Sequence, residues 1–319
     1  MMMRRRRLSV SLIAGLLSLL DSTRVHAYCR TSTCLPNGSV CDPPVETDCG
    51  LPVAWFRDCV GVALQRDGTA QMPFEDARTA ILNGFAAWMA PVCGGASPGI
   101  ATIDMGQVPC RNAEYNKTAG NVNVVVFRDQ AWTHPEGANY IALTTVTFGD
   151  ETGEIYDVDV EINSASFQFT AQPSSVGYDL QAVMTHEAGH FFGLAHSLDP
   201  ESTMWDSYEE GSNSLRTLAA DDINAICATY PPRPVDASTC NPIPRHGFAP
   251  ECAADQPKHG CSATRARRGA GSWGWIAVLA VAMLAIRRRR PRGGQSARSR
   301  GDGLPPRPGA GLSEPRART

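Results

Sequence analysis

The sequence predicts an α+β sheet domain, and three observations carry that prediction. Short segments with strand patterning recur between residues 60 and 163. One long segment with helical spacing interrupts them early, and two further helical segments follow the last strand. The 319-residue chain is 43% hydrophobic, which supplies the core of an ordinary domain and excludes a disordered chain.

The elements follow in order. Val60–Arg66 alternates apolar and polar residues, as a first strand does. Phe74, Ala77, Ile81, Phe85 and Trp88 recur at helical spacing, so Phe74–Met89 is the long N-terminal helix and its aromatic stripe faces the core. Ala101–Met105, Val122–Phe127 and Ile141–Phe148 read as short buried strands. Glu154–Asn163 alternates strictly: Tyr156, Val158, Val160 and Ile162 lie on one face, and Asp157, Asp159, Glu161 and Asn163 on the other. That pattern predicts a half-buried strand with a carboxylate face. Asp179 is the N-cap of a helix over Leu180–Phe192 that ends at Gly193, a residue free to adopt positive φ. A closing helix, Asp221–Thr229, stops before Pro231-Pro232.

The charges are segregated. Of 29 basic and 32 acidic residues, residues 1–27 hold five and one, and residues 261–319 hold thirteen and two, which leaves 28–260 at net −18. A body this acidic excludes a nucleic-acid footprint. Met1–Ala27 reads as a secretory signal, with Arg4–Arg7 as its positive start and Leu8–Leu20 as its apolar run. Val25-His26-Ala27 is its cleavage site. Eleven cysteines without a CxxC pair point to disulfides rather than a thiolate zinc ribbon; with Cys261 set aside, ten can form five bridges. The resulting division is a signal peptide at 1–27, a cysteine-containing segment at 28–50 and a main domain at 51–231. A Pro/Cys-rich extension at 232–260, a C-terminal sorting or transmembrane segment at 261–290 and a disordered basic tail at 291–319 follow.

The chemistry lies in His186-Glu187-Ala188-Gly189-His190-Phe191-Phe192-Gly193-Leu194-Ala195-His196. Residues four apart share a helix face, so His186 and His190 can address one metal, with Glu187 placed to reach a metal-bound water. Gly193 lets the chain turn back so that His196 completes a three-histidine site. Three neutral imidazoles leave the fourth position of Zn²⁺ open, as a catalytic site requires. Three of the chain's seven histidines fall in this one motif.

This motif resembles that of the metzincin zinc peptidases, and Ser197 directly after the third histidine resembles their matrixin branch. The resemblance implies a metzincin-type catalytic domain, a twisted mixed sheet with a long N-terminal helix, in which Leu180–Phe192 is the active-site helix and Asp221–Thr229 the closing one. It implies that Met204, in Ser202-Thr203-Met204-Trp205, forms a Met-turn beneath the metal. It also implies an endopeptidase that hydrolyses peptide bonds through a zinc-bound water, with Glu187 as general base. A protein or peptide substrate would lie extended along an edge strand, against a specificity pocket walled by Trp205–Gly211. Asp159 and Glu161 fall near matrixin calcium ligands, so Ca²⁺ is a second candidate ion. Tyr156 stands where a histidine of the matrixin structural zinc would be, which leaves one catalytic zinc. Cys49-Gly50-Leu51-Pro52 is similar to the matrixin cysteine switch but lacks its flanking Arg and Asp, and cysteine parity favours a disulfide at Cys49.

Gly260-Cys261-Ser262, the apolar run Trp273–Ile286 and Arg287–Arg290 together resemble the MYXO-CTERM class of bacterial C-terminal sorting signals. A simple tail anchor is the alternative. Either implies export and attachment to the membrane or outer cell surface, and the protein is expected to act as a monomer. The competing function is a non-enzymatic surface or adhesion module that retains the metzincin fold.

Overall fold

The computed structural model describes residues 28–34, 38–236, 238–252, 310–313 and 316–317. The signal segment, Cys261 and the run Trp273–Ile286 lie outside the described residues. Among those described, no helix is long and apolar enough to cross a membrane.

Residues 28–50 open with a hairpin of β1 (Tyr28–Thr31) and β2 (Ser39–Asp42). The main sheet contains β3 (Cys59–Gln65), β4 (Ala101–Val108), β5 (Val124–Phe127), β6 (Ala142–Phe148) and β7 (Ile155–Ile162). Their spatial order is β6-β7-β5-β3-β4, with β3, β4, β5 and β7 parallel and β6 antiparallel beside β7. A parallel pair needs a crossover, and α1 (Phe74–Met89) supplies it between β3 and β4. Glu75 and Asp76 occupy the first turn of α1, where the positive end of the helix dipole favours them. Its stripe of Ala77, Ala80, Ile81, Phe85 and Trp88 is buried.

The second layer is completed by α2 (Leu180–Phe191), which is preceded by the short parallel pair of β8 (Phe169–Thr170) and β9 (Tyr178–Asp179). Gly84 lets α1 and α2 approach closely, since a Cβ there would come within 2.8 Å of the Met184 backbone. Trp88 then donates its indole N–H to the Thr185 carbonyl at 2.6 Å. After α2 come β10 (Ser207–Tyr208) and α3 (Ala220–Thr229). Two short strands near the C-terminus, β11 (Ala310–Ser313) and β12 (Arg316–Ala317), run antiparallel to β6 and parallel to β10.

The predicted α+β class and all three helices are present, α1 with the bounds read from the sequence. Two strands differ for local reasons. β4 runs on to Val108 through a bulge: between Val62 and Leu64 its partner moves from Asp104 to Gln107, with Gly106 at φ 80°. β5 starts at Val124 rather than Val122 because Asn123 bonds through its side chain. Its amide donates to the Gly61 carbonyl at 2.8 Å and accepts from Val158 N at 2.9 Å.

The half-buried reading of β7 needs correction. Its acidic face is also covered, and Asp157, Asp159, Glu161 and Asn163 are all buried. Irregular chain around Glu114, together with Arg128 and His134, supplies the cover.

Five disulfides join Cys29–Cys41, Cys34–Cys49, Cys59–Cys240, Cys93–Cys227 and Cys110–Cys252. Cys49 is therefore bridged. The Cys59 and Cys110 bridges tie residues 232–252 to the body. Cys110 and Cys252 are buried with Val108, Val122, Val124 and Val126 in a second, smaller core on the other side of the sheet from α1. Replacing Cys110 and Cys252 by serine removes a cross-link spanning 142 residues. It should cost about 2–5 kcal/mol, measurable as a lower urea midpoint.

Candidate metal centre and catalytic carboxylate

The site grows from α2. Asp179 caps the helix by accepting from Ala182 N at 2.9 Å, and Arg216 pairs with the same carboxylate at 2.7 Å. The helix ends at Phe191 with Phe192 as its C-cap, and Gly193 turns the chain at φ 86°. Only glycine fits that turn, because a Cβ would meet the Val53 carbonyl oxygen at 2.5 Å. The reversal brings His196 back beside His186 and His190. Ring centroids are 4.8 Å apart for His186–His190, 5.3 Å for His186–His196 and 4.9 Å for His190–His196.

Backbone carbonyls set the orientation of two rings. His186 Nδ1 lies 2.6 Å from the Thr203 oxygen, and His190 Nδ1 lies 2.8 Å from the Leu194 oxygen. A carbonyl only accepts, so both Nδ1 atoms carry the proton and both Nε2 atoms present lone pairs. Those two lone-pair atoms stand 3.1 Å apart. Neither can donate to the other, so the arrangement calls for a cation between them. Burial, then repulsion from His196, pushes the His186 pKa down to about 3. Burial and both neighbouring imidazoles hold His190 well below its usual value. The rings are thus kept neutral, the form that ligates metal. One ligand atom from each of the three lies within 4.8 Å of the others, which fits a single ion with three nitrogen donors.

Glu187 is buried on α2, and the Thr144 hydroxyl of β6 donates to its carboxylate. The sequence offered no sign of Thr144, since a threonine in a strand reads as ordinary β-sheet composition. Met204 is buried against α2 at Gly189, where a Cβ would collide with its sulfur at 2.1 Å. The glycine between the two helical histidines therefore makes room for Met204.

The turn carrying Met204 is held from α3. Asp222 accepts from the Ser202 hydroxyl, from Thr203 N at 2.7 Å, from Ala219 N at 2.8 Å and from Met204 N at 3.2 Å. Burial raises its pKa while these donors lower it. Ser197 reaches the other acid of α3, donating to Asp221 at 2.5 Å. Since Thr203 also receives His186, α3 fixes one histidine through the turn. Beyond Met204 a recess of about 320 Å³ is lined by Trp205, Ser207, Tyr208, Glu209 and Leu215, among others.

The acidic candidates stand apart from this centre. Asp159 accepts from Glu114 N at 2.8 Å and Val124 N at 3.0 Å. Glu161 accepts from Arg128 Nε at 2.6 Å and lies 3.0 Å from His134 Nε2. Among the described residues, neither belongs to a group of three or more side chains placed to hold a metal, as the histidines do.

Residues 116–231 match the matrixin family model. The match takes in α2, all three histidines and the Met204 turn, and ends just past α3. The chain is similar to human neutrophil collagenase, 28% identical over 224 residues that cover 65% of this chain and 43% of that protein. It is also 42% identical to human matrix metalloproteinase-20 over 59 residues, 18% of this chain and 12% of that relative. The chain thus spans less than half the length of the curated relatives it matches. Fold and match agree on a matrixin-like catalytic domain.

Removing the Asp222 side chain should disable this centre by loosening its support. Asp222→Ala strands a buried hydroxyl and three backbone N–H groups, at a cost of about 3 kcal/mol or more. Asp222→Asn keeps one acceptor oxygen and should lose less. Chemical denaturation of both variants checks the order.

Proposed function

We propose that this protein is an exported zinc-dependent endopeptidase. The observation that carries this reading is the group of three converging imidazoles, two of them buried and held neutral on α2, with a buried carboxylate on the same helix. A binding module has no use for Glu187 at that place.

A zinc ion held by His186, His190 and His196 supplies Lewis acidity, polarising a carbonyl and bringing the pKa of water towards neutrality. Glu187 takes a proton at its carboxylate as general base and returns it to the departing amine as general acid. The Thr144 hydroxyl keeps that carboxylate aimed, and its anchorage on β6 ties the proton-transfer group to the strand where substrate lies. β6 borders the five strands of residues 59–162 and, on its outer side, pairs with β11 from near the C-terminus, so substrate would add as an extended chain in the place β11 takes. The pairing of β11 with β6 supports this, since an antiparallel segment fits there without rearrangement. A substrate side chain would enter the recess beside Tyr208. The substrate class is protein or peptide, in keeping with the peptidase family and with the collagenase named among the relatives. The N-terminal signal places the activity outside the cytoplasm, and the segment after Cys261 anchors it at the cell surface.

Zinc-loaded protein should cleave members of a peptide library and carry about one zinc per chain. Glu187→Ala should retain the metal and lose cleavage by about 10³-fold or more. A folded, zinc-bearing wild type that cleaves nothing would transfer the reading to a surface or adhesion module.

A further inference from the structure

The segment before the main domain is joined to the metal centre in a way that the family match, which begins at residue 116, does not cover. β1 pairs with the turn between the second and third histidines. Thr31 N donates to the Gly193 carbonyl at 2.9 Å, and Ala195 N donates to the Cys29 carbonyl at 2.9 Å. Arg30 and Leu194 face each other in an isolated bridge. The Thr31 hydroxyl donates to the Leu194 oxygen at 3.2 Å, the same oxygen that receives His190 Nδ1. Thr31 is buried, and its own carbonyl accepts from Val53 N at 2.8 Å. Every polar group of this threonine is therefore committed around the turn.

We infer that the β1–β2 hairpin is a structural part of the metal centre, with Thr31 as a positioning residue for His190 and for the turn that delivers His196. Two bridges make the hairpin rigid enough for this. Cys29–Cys41 lies between β1 and β2, at the residue whose carbonyl receives Ala195 N, and Cys34–Cys49 closes the loop behind them. A four-residue strand without them would fray, because so short a hairpin has little stability of its own. Held by them, it fixes the Leu194 carbonyl that also receives His190. It sets ring direction and the span between His190 and His196 before any ion arrives. Partners of this kind govern metal affinity, because they fix the direction of the ligand lone pair.

The inference rests on the reading of the three histidines as metal ligands, and the test separates the two. Zinc affinity of the full chain is measured by competition with a chromophoric chelator, and the visible spectrum of the Co²⁺-substituted protein reports ligand geometry. Thr31→Val should weaken zinc binding about threefold to tenfold and shift the Co²⁺ bands, Thr31→Ser should restore both, and Cys29→Ala with Cys41→Ala should weaken binding about tenfold or more. Cys110→Ser with Cys252→Ser, on the far core, should lower stability and leave zinc affinity unchanged. If the Thr31 and Cys29/Cys41 variants bind zinc as the wild type does, or only in step with lost stability as in the far-core control, the inference is overturned. A wild type that binds no zinc would instead remove the metal-site reading beneath it.

Discussion

Everything at the centre depends on keeping the imidazoles of His186, His190 and His196 converged on one place. Two Nε2 atoms 3.1 Å apart repel when no cation lies between them, and burial denies the rings the option of charging. The protein meets this constraint with backbone carbonyls, which hold the rings by Nδ1 and so select the tautomer. Those carbonyls belong to Thr203 for His186 and to Leu194 for His190. Each has its own outer support: α3 fixes Thr203 through Asp222, and the N-terminal hairpin fixes Leu194 through Thr31. The centre is therefore braced from two distant parts of the sequence, and the helix that carries two histidines is only one of its walls.

The same constraint accounts for the glycines. Gly84 admits α2 against α1, Gly189 admits Met204 against α2, and Gly193 permits the reversal that returns His196. None of the three could carry a side chain without moving a wall of the site. Histidines that converge at the end of a helix need the helix fixed along its length, at its base and just past its end. One glycine serves each of these contacts.

How much of this was legible depends on the range of the interactions. The extent of α1, the Asp179 cap, the Gly193 turn and the histidine triad are local patterns, and a single sequence carries local patterns in full. Thr144 and Thr31 are contacts across 43 and 163 residues, made by residues of ordinary composition, so no spacing marks them. The β7 alternation showed two faces correctly. It could not show that both would be covered, because the cover on the acidic face is irregular chain with no period to read. Ion pairing also lay beyond reach: that Glu161 meets Arg128 and His134 depends on where loops come to rest.

The covered acidic face sets the energetic character of the sheet. Asp157 and Asp159 are buried side by side, and burial drives both pKa values well up; the Asp159 charge adds to the rise at Asp157, while two backbone N–H groups oppose it at Asp159. Asp159 is compensated by two backbone N–H groups, and Glu161 by a guanidinium with an imidazole beyond it. Asp159 and Glu161 are thus capped or paired, which is the condition for burying them on one strand. Such pairing contributes little net stability against an apolar alternative, but breaking it costs several kcal/mol, of order 3–5. The effect is to fix the irregular chain around Glu114, Arg128 and His134 onto β7 in one arrangement. β7 is also the strand on which β6 is hung, and β6 carries Thr144 to Glu187. The buried carboxylates and Glu187 are in this way joined through two neighbouring strands.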